Sequence, residues 1–159
     1  MNKLYLLLGG NLGDPMANLR TAQQYISKEI GIITRQSKLY QTAAWGDVNQ
    51  PDFINQVIIV RSTLTAVQCL EKILAIEHQM GRIRTTKNAP RLIDIDILYF
   101  NKNIITTENL VVPHPAIQQR RFVLTPLNEL SPLLIHPVLG KTNHELLLEC
   151  KDRLNVKKI

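Results

Sequence analysis

Two strand-length runs, Lys3 to Leu8 and Phe53 to Ser62, are each followed by a signal for the start of a helix. After the first run, Asp14 can cap a helix whose first position is Pro15, since proline lacks only the amide that a helix start leaves unpaired. After the second run, a capping box begins at Thr65, with a glutamine three residues later. This repeated order of strand, cap and helix constrains the fold more than any other feature of the chain.

Helical periodicity continues from Pro15 to Ile30 and from Thr65 to Met80, and a glycine ends each pattern. Two further runs, Ile32 to Tyr40 and Ile93 to Phe100, have the composition of strands. The order strand, helix, strand, strand, helix, strand is the split βαβ arrangement. We therefore predict an α+β fold with an antiparallel sheet and helices on one of its faces.

The C-terminal part of the chain has weaker signals. The periodicity predicts helices at Phe122 to Pro132 and at His144 to Cys150, the second beginning with a capping box at Thr142. An extended segment is expected around Ile104 and Ile105. The lysines near the C-terminus are interpreted as solvated surface charge.

Length and composition favour one folded domain over residues 1–159. Hydrophobic residues make up 45% of the chain and charged residues 20%, which excludes disorder and collagen-like repeats. The chain has neither an 18-residue apolar run nor a signal-peptide core, and its two cysteines lack metal-site spacing. We expect a cytoplasmic protein with reduced cysteines.

The segment Arg91 to Leu98 carries the strongest chemical pattern. In a strand, Asp94 and Asp96 lie on one face, about 7 Å apart, opposite the intervening isoleucines. Arg82, Arg84, Lys87 and Arg91 precede them, with no acidic residue among them. A solvated amphipathic strand is an alternative, but clustered cations beside paired carboxylates favour a magnesium-bound polyphosphate.

Two other segments carry weaker signals for a ligand. Phe53 and Asn55 could provide a stacking ring and a hydrogen-bonding amide for a flat heterocycle, although Phe53 could equally be a core residue. His114 lies between two prolines, which suits either a ligand contact or a surface turn. The glycines at positions 9, 10 and 13 lack the spacing of a phosphate-binding loop, so a tight turn is favoured.

Taken together, these motifs resemble a known family. The segment 87–98 (KNAPRLIDIDIL) resembles the signature of 6-hydroxymethyl-7,8-dihydropterin pyrophosphokinase, a kinase of folate biosynthesis. The turn at 9–13 (GGNLG), the segment 50–55 (QPDFIN) and the segment 112–114 (VPH), the last with Arg120 and Phe122, are similar to the family's other blocks. The resemblance extends over nearly the whole chain.

The resemblance implies a ferredoxin-like fold and transfer of pyrophosphate from ATP to the hydroxymethyl group of the pterin, with release of AMP. It implies two Mg²⁺ ions on Asp94 and Asp96, which with Arg82 and Arg91 form the catalytic group. The implied pterin-binding residues are Thr42, Ala43, Trp45, Phe53, Asn55 and Phe122. The implied ATP-binding residues are Glu77, Arg82, Arg84, Arg91, Ile97, His114 and Arg120. We expect a monomer that binds these two small substrates and neither nucleic acid nor a membrane.

Two alternatives remain. A basic split βαβ domain could bind RNA, but such domains present aromatic residues on their central strands, whereas this strand presents aspartates. A silent relative could bind nucleotide without catalysis, although the intact pair Asp94 and Asp96 argues against this.

Overall fold

The computed structural model describes residues 1–44, 49–81 and 91–159. The helices are α1 (Pro15–Glu29), α2 (Ala66–Gln79), α3 (Arg121–Leu130) and α4 (Asn143–Glu149), with a short 3-10 helix at Ile117–Gln119. The strands are β1 (Asn2–Gly10), β2 (Ile32–Gln36), β3 (Tyr40–Thr42), β4 (Phe53–Ser62), β5 (Asp94–Phe100), β6 (Ile105–Thr106), β7 (Val111–Val112) and β8 (Val156–Lys158). The predicted α+β class is confirmed.

An antiparallel sheet forms the centre of the molecule, with the order β5-β1-β4-β3-β8 and with β2 also paired to β4. Strands β6 and β7 form a separate two-stranded hairpin. Strand β1 is buried from Leu4 to Gly10, and β4 is buried from Ile54 to Val60. Both strands are therefore covered on both faces, which explains their continuous apolar sequences.

Helices cover both faces of the sheet, so the prediction of helices on one face is wrong. Helices α1 and α2 pack on the face that presents Leu6 and Ile58, whereas α3 and α4 pack on the face that presents Tyr5 and Ile59. Successive side chains of a strand point to opposite faces. The apolar residues on both faces of β1 and β4 thus require a second helical layer.

The predicted helix starts are confirmed. The Asp14 side chain accepts a hydrogen bond from the amide of Ala17, and Thr65 and Thr142 each form a capping box. The predicted strand Ile32 to Tyr40 is divided into β2 and β3. Between them, the Ser37 hydroxyl accepts the amide of Val57 at 3.0 Å, so a side chain replaces a backbone partner of β4.

The C-terminal segment forms an edge strand that the sequence pattern did not predict. Strand β8 pairs with β3 so that Val156 lies opposite Thr42. Lys157 and Lys158 are exposed, as predicted, and charged side chains on an edge strand oppose pairing with other chains.

Both cysteines are buried and free, as expected from their positions in apolar patterns. Among the helices of the described residues, none has the length and hydropathy needed to span a membrane.

Candidate active site

Three neighbouring strands place the predicted polar residues in rows on one face of the sheet. Gly9 of β1 lies opposite Asn55 of β4 on one side and Asp94 of β5 on the other. The next row on the same face contains Leu7 with Asp96. Asp94 and Asp96 share one face of the sheet, as the alternation of side chains in a strand predicted. The structure adds that Asn55 lies on the same face.

Gly9 makes room for the Asn55 amide. A side chain at position 9 would collide with Oδ1 of Asn55, because the two residues lie directly opposite each other. The sequence pattern favours only a tight turn at Gly9, whereas the structure places this residue inside β1. The two-residue spacing indicates only that Gly9 and Leu7 share a face of β1, and the pairing of β1 with β5 places the two carboxylates on that face.

A pocket opens above these rows, where α3 begins. The described residues that line it are Leu7, Gly9, Thr42, Ala43, Phe53, Asn55, Arg91, Asp94, Asp96, Arg120 and Phe122. The structure thus brings together nine of the predicted site residues with Leu7 and Gly9, which sequence reasoning missed. We call this the aromatic pocket, after Phe53 and Phe122.

Thr42 has an unusual environment in this pocket. It lies at the end of β3 opposite Phe53, and its residue surface is 4% exposed. Its hydroxyl is the only buried side-chain polar atom of the described residues that lacks a hydrogen-bond partner. Burial of an unpaired hydroxyl is unfavourable, so this atom is suited to bond a polar group of a ligand in the pocket.

Arg120 and Phe122 form the α3 side of the aromatic pocket. Helix α3 begins at Arg121, and the residues on either side of it, Arg120 and Phe122, both line the pocket. The guanidinium carbon of Arg120 lies 5.7 Å from the centre of the Phe122 ring. This cation–π contact orients a positive charge beside a stacking surface.

A second cavity lies between α2 and the β6–β7 hairpin, and we call it the hairpin cleft. Its lining includes Leu70 and Leu74 of α2, Ile97 of β5, and His114. The described residues that line the hairpin cleft enclose a volume of about 810 Å³, which is within the range of small-molecule sites. Asp96 lines both the hairpin cleft and the aromatic pocket, so the two cavities meet at a carboxylate.

His114 is held in its loop by hydrogen bonds of its backbone and its ring. Its amide donates to the Leu98 carbonyl at 3.0 Å, and its Nδ1 accepts the amide of Ala116 at 3.1 Å. Burial and the nearby Arg120 charge lower the pKa of His114, against the opposing effect of Asp94. The imidazole is therefore neutral near pH 7, with its proton on Nε2, where it can donate to a ligand.

Glu77 lies on the other side of β5 from the aromatic pocket. It is 2% exposed, and its Oε2 accepts the amide of Ile95 at 2.8 Å. Ile95 lies between the two aspartates in the strand. The described lining of the two cavities does not include Glu77, so its predicted contact with ATP stays a prediction, while its contact with β5 is direct.

Trp45, Arg82 and Arg84 lie outside the described residues, and the predictions for them stay predictions. The same holds for most of the basic segment that precedes Arg91.

Asp94 and Asp96 suit a hard divalent cation. Both are half-buried, both line the aromatic pocket, and carboxylate oxygens are preferred ligands of Mg²⁺. Over residues 1–44, 49–81 and 91–159, no cluster of three or more potential ligands surrounds this pair or forms elsewhere. Mg²⁺ usually retains waters and takes substrate phosphates beside one or two carboxylates, so a two-aspartate site fits the ion when phosphate is bound.

The two cavities meet at Asp96, with Asp94 two residues away in the same strand, and this arrangement would suit an enzyme that brings a metal-bound phosphate to a second substrate. Comparisons with known proteins identify the family. Residues 5–132 match the family model described as 7,8-dihydro-6-hydroxymethylpterin-pyrophosphokinase (HPPK). The chain belongs to this family.

Curated relatives agree with this assignment. The chain is 38% identical over 148 residues to the 2-amino-4-hydroxy-6-hydroxymethyldihydropteridine pyrophosphokinase of Methylorubrum extorquens, covering 92% of each chain. It is 38% identical to the Aquifex aeolicus protein of the same name, covering 89% of this chain and 88% of that protein. The folic acid synthesis protein FOL1 of Dictyostelium discoideum is 37% identical over 158 residues, 99% of this chain, but the chain spans only 24% of that protein.

Solved structures agree on the fold. The Plasmodium falciparum HPPK-DHPS crystal structure superposes with a TM-score of 0.72 at 20% identity, covering 94% of this chain and 43% of that chain. The ferredoxin-like expectation is therefore confirmed. The predicted enzyme class, a pyrophosphokinase of folate biosynthesis, is confirmed by the family and its relatives.

Proposed function

We propose that this chain binds ATP and 6-hydroxymethyl-7,8-dihydropterin on either side of the boundary between its two cavities. There it transfers pyrophosphate from ATP to the pterin. The observation that carries this proposal is the position of Asp96, which lines both the aromatic pocket and the hairpin cleft. A group held in one cavity can reach a group held in the other only at such a boundary. Residues 1–159 act as one domain in this reaction.

The aromatic pocket takes the pterin. Phe53 and Phe122 offer two rings for stacking a flat heterocycle, and the amide of Asn55 can both donate and accept. The Thr42 hydroxyl gains the partner that it lacks, with Ala43 beside it. Trp45 is assigned to the same loop by the family resemblance.

The hairpin cleft takes the nucleotide. Ile97 and His114 line this cavity, and Arg91 and Arg120 carry positive charge at the adjoining pocket. The neutral His114 donates from Nε2, while the arginines meet phosphate oxygens. The family resemblance adds Glu77, Arg82 and Arg84 to this set.

Two Mg²⁺ ions would be held by Asp94 and Asp96 together with phosphate oxygens. When bound, these ions neutralise phosphate charge and orient the reacting oxygen. In the reaction, a bond forms between the hydroxymethyl oxygen and the β-phosphorus, the bond from that phosphorus to the AMP oxygen breaks, and the hydroxyl proton is released. The chain contributes positioning and fixed charge, mainly through Arg82, Arg91 and the two aspartates.

The protein is proposed to act as a cytoplasmic monomer on these two small substrates, without nucleic acid or membrane partners. The curated relatives named above that the chain covers over most of their length are pyrophosphokinases, and their names favour neither alternative.

The decisive experiment measures AMP release from ATP and Mg²⁺ with and without 6-hydroxymethyl-7,8-dihydropterin. We expect release to require both the pterin and Mg²⁺. Nucleotide binding without pterin-dependent AMP release would favour the silent relative. AMP release at the same rate without pterin would contradict the proposed transfer.

A further inference from the structure

Helix α3 is capped by a residue that is distant in sequence. Within the described residues 91–159, the Arg120 side chain makes no capping hydrogen bond to the first turn of α3, whereas the residue before each of α1, α2 and α4 caps its helix. The amide of Arg121, the first residue of α3, instead donates to Oδ2 of Asp152 at 3.0 Å. A carboxylate 31 residues further along the chain therefore takes the place of a local cap.

The side chain of Arg121 holds Asp152 at this position. Its Nε donates to the Asp152 carbonyl at 2.9 Å, and its Nη2 donates to the Cys150 carbonyl at 3.3 Å. The second carboxylate oxygen of Asp152, Oδ1, accepts the amide of Leu154 at 3.0 Å. Both oxygens of this half-buried carboxylate are thus used, and the segment after α4 is fixed against the start of α3.

The capped amide lies between two residues of the aromatic pocket. Among the described residues that line the pocket are Arg120 and Phe122, but not Arg121 or Asp152. The Arg120 carbonyl accepts two amides of α3, both at 3.1 Å, so the helical hydrogen bonds begin at this residue. Because Phe122 belongs to the first turn, the order of this turn decides where its ring lies.

We propose that Asp152 is a positioning residue for pterin binding, which caps α3 and thereby holds the Phe122 ring at the aromatic pocket. The inference rests on the proposed assignment of the pterin to this pocket. Loss of a cap destabilises the first turn of a helix relative to frayed conformations. A frayed turn must be ordered again before Phe122 can stack on a ligand, and the cost of that ordering weakens binding.

The test measures the affinity of 6-hydroxymethyl-7,8-dihydropterin by calorimetry, with Mg²⁺ and a non-hydrolysable ATP analogue at saturation. Asp152→Ala should raise the Kd of the pterin by about 5-fold, the factor that corresponds to the loss of one helix cap. Arg121→Ala removes the two side-chain donors that hold Asp152 but leaves the carboxylate. It should raise the Kd by a smaller factor, and it supplies the comparison if Asp152→Ala does not fold.

A double-mutant cycle tests whether the cap acts through the Phe122 ring. Phe122→Ala alone should raise the Kd by about 10-fold, because a stacking ring is lost. In the Phe122→Ala background, Asp152→Ala should cause no further rise, since the ring that it positions is absent. The same rise in Kd from Asp152→Ala in both backgrounds would overturn the inference.

Thr142→Ala is the matched control for the loss of a cap. Thr142 caps α4, which lies in the same helical layer as α3, and its hydroxyl accepts the amide of Glu145 at 3.1 Å. This variant should have a lower Tm and a wild-type Kd for the pterin. An equal rise in Kd for Thr142→Ala and Asp152→Ala would assign the effect to general destabilisation of the layer, against a positioning role for Asp152.

The outcomes also separate this inference from the proposed function. A wild type that binds no pterin, or a Phe122→Ala variant with wild-type affinity, contradicts the assignment of the pterin to the aromatic pocket. If Phe122→Ala weakens binding while the folded variants at Asp152 and Arg121 keep the wild-type Kd, only the role of Asp152 is overturned.

Discussion

The two faces of the central sheet are built from the same strands but differ in what covers them. On the face of α1 and α2, residues such as Leu6, Leu8 and Ile58 continue the apolar core along the strands. On the face of α3 and α4, Tyr5 and Ile59 belong to an apolar cluster, but the rows at Gly9 and Asp94 open into the aromatic pocket. One face is closed along its length and the other is closed only in part.

The difference shows where the site comes from. Helix α3 begins at Arg121, so the second helical layer starts beside the pocket and leaves the polar rows accessible. Carboxylates in a fully covered row would be desolvated without a partner, which is strongly unfavourable. Substitutions on the closed face should therefore affect stability, and substitutions on the open face should affect substrate binding or catalysis.

The largest effect is expected from the carboxylate pair. Asp96→Asn, and separately Asp94→Asn, should lower pterin-dependent AMP release by at least about 100-fold, because each change removes a charged oxygen ligand for Mg²⁺. Thermal unfolding without Mg²⁺ should show that both variants fold, since each change keeps the size of a half-buried side chain. Kinetics at saturating ATP would check the first expectation.

Asp14→Asn is the control for both variants. Asp14 is exposed and caps α1, and asparagine caps a helix equally well. Activity and Tm should stay at the wild-type level. A wild-type rate in Asp96→Asn and Asp94→Asn would remove the metal-binding assignment.

A pair of phenylalanine variants contrasts the two faces directly. Phe53→Ala, on the open face, should raise the KM for the pterin by about 10-fold with a small change in Tm. Phe100→Ala, in the α1–α2 core, should lower stability by about 3–5 kcal/mol and leave the KM near the wild-type value. The opposite result, with Phe53 affecting only stability, would make it a core residue.

A smaller effect is expected at the edge of the open face. Ending the chain after Asn155 removes β8, which pairs with Thr42 of the pocket wall, so the KM for the pterin should rise several-fold. The double variant Lys157→Gln, Lys158→Gln removes the charges and keeps the strand. It should behave as the wild type, and an equal rise in its KM would assign the effect to charge.

The smallest effect is expected on the pH dependence of stability and concerns His136, a buried histidine whose ring packs against Tyr99. Nδ1 of His136 accepts the amides of Val138 and Leu139, and burial lowers the pKa of the ring. Its neutral form is favoured in the folded state, so the stabilisation is complete above the unfolded pKa of about 6.5 and is lost as pH falls through the lower folded pKa. Melting curves between about pH 7 and pH 5 should therefore show a declining Tm.

His136→Asn keeps an acceptor at the same position but cannot titrate. Its Tm should fall less steeply with falling pH than that of the wild type over the same range. Part of the decline that remains is expected from His114, whose pKa is also lowered. Parallel curves for the two proteins would exclude His136 as a source of the pH dependence.

Sequence patterns predicted most of the secondary structure because its signals are local. The capping boxes at Thr65 and Thr142 and the alternation of Asp94 with Ile95 depend on residues within one turn or one strand. The division of Ile32 to Tyr40 was not predictable, because the Ser37 hydroxyl bonds Val57, 20 residues away. Strand β8 was missed for the same reason, since only its pairing with β3 defines it.

The site divides in a similar way. The two aspartates and the residues Phe53 and Asn55 were assigned from their spacing and from a family resemblance. That resemblance also included the 9–13 turn, but it did not indicate that Gly9 lies inside β1 to accommodate Asn55. It also did not indicate that Glu77 contacts the backbone of β5 on the side away from the aromatic pocket.

By itself, the sequence determined the helices, the main strands, the carboxylate pair and the family, because these depend on residue type and short spacing. Only the tertiary structure decided that helices cover both faces, that the second layer begins beside the polar rows, and that Asp96 borders both cavities. Asn11 illustrates the physical reason. Its three side-chain hydrogen bonds join residues 39 to 80 positions away, and such contacts exist only after the sheet has formed.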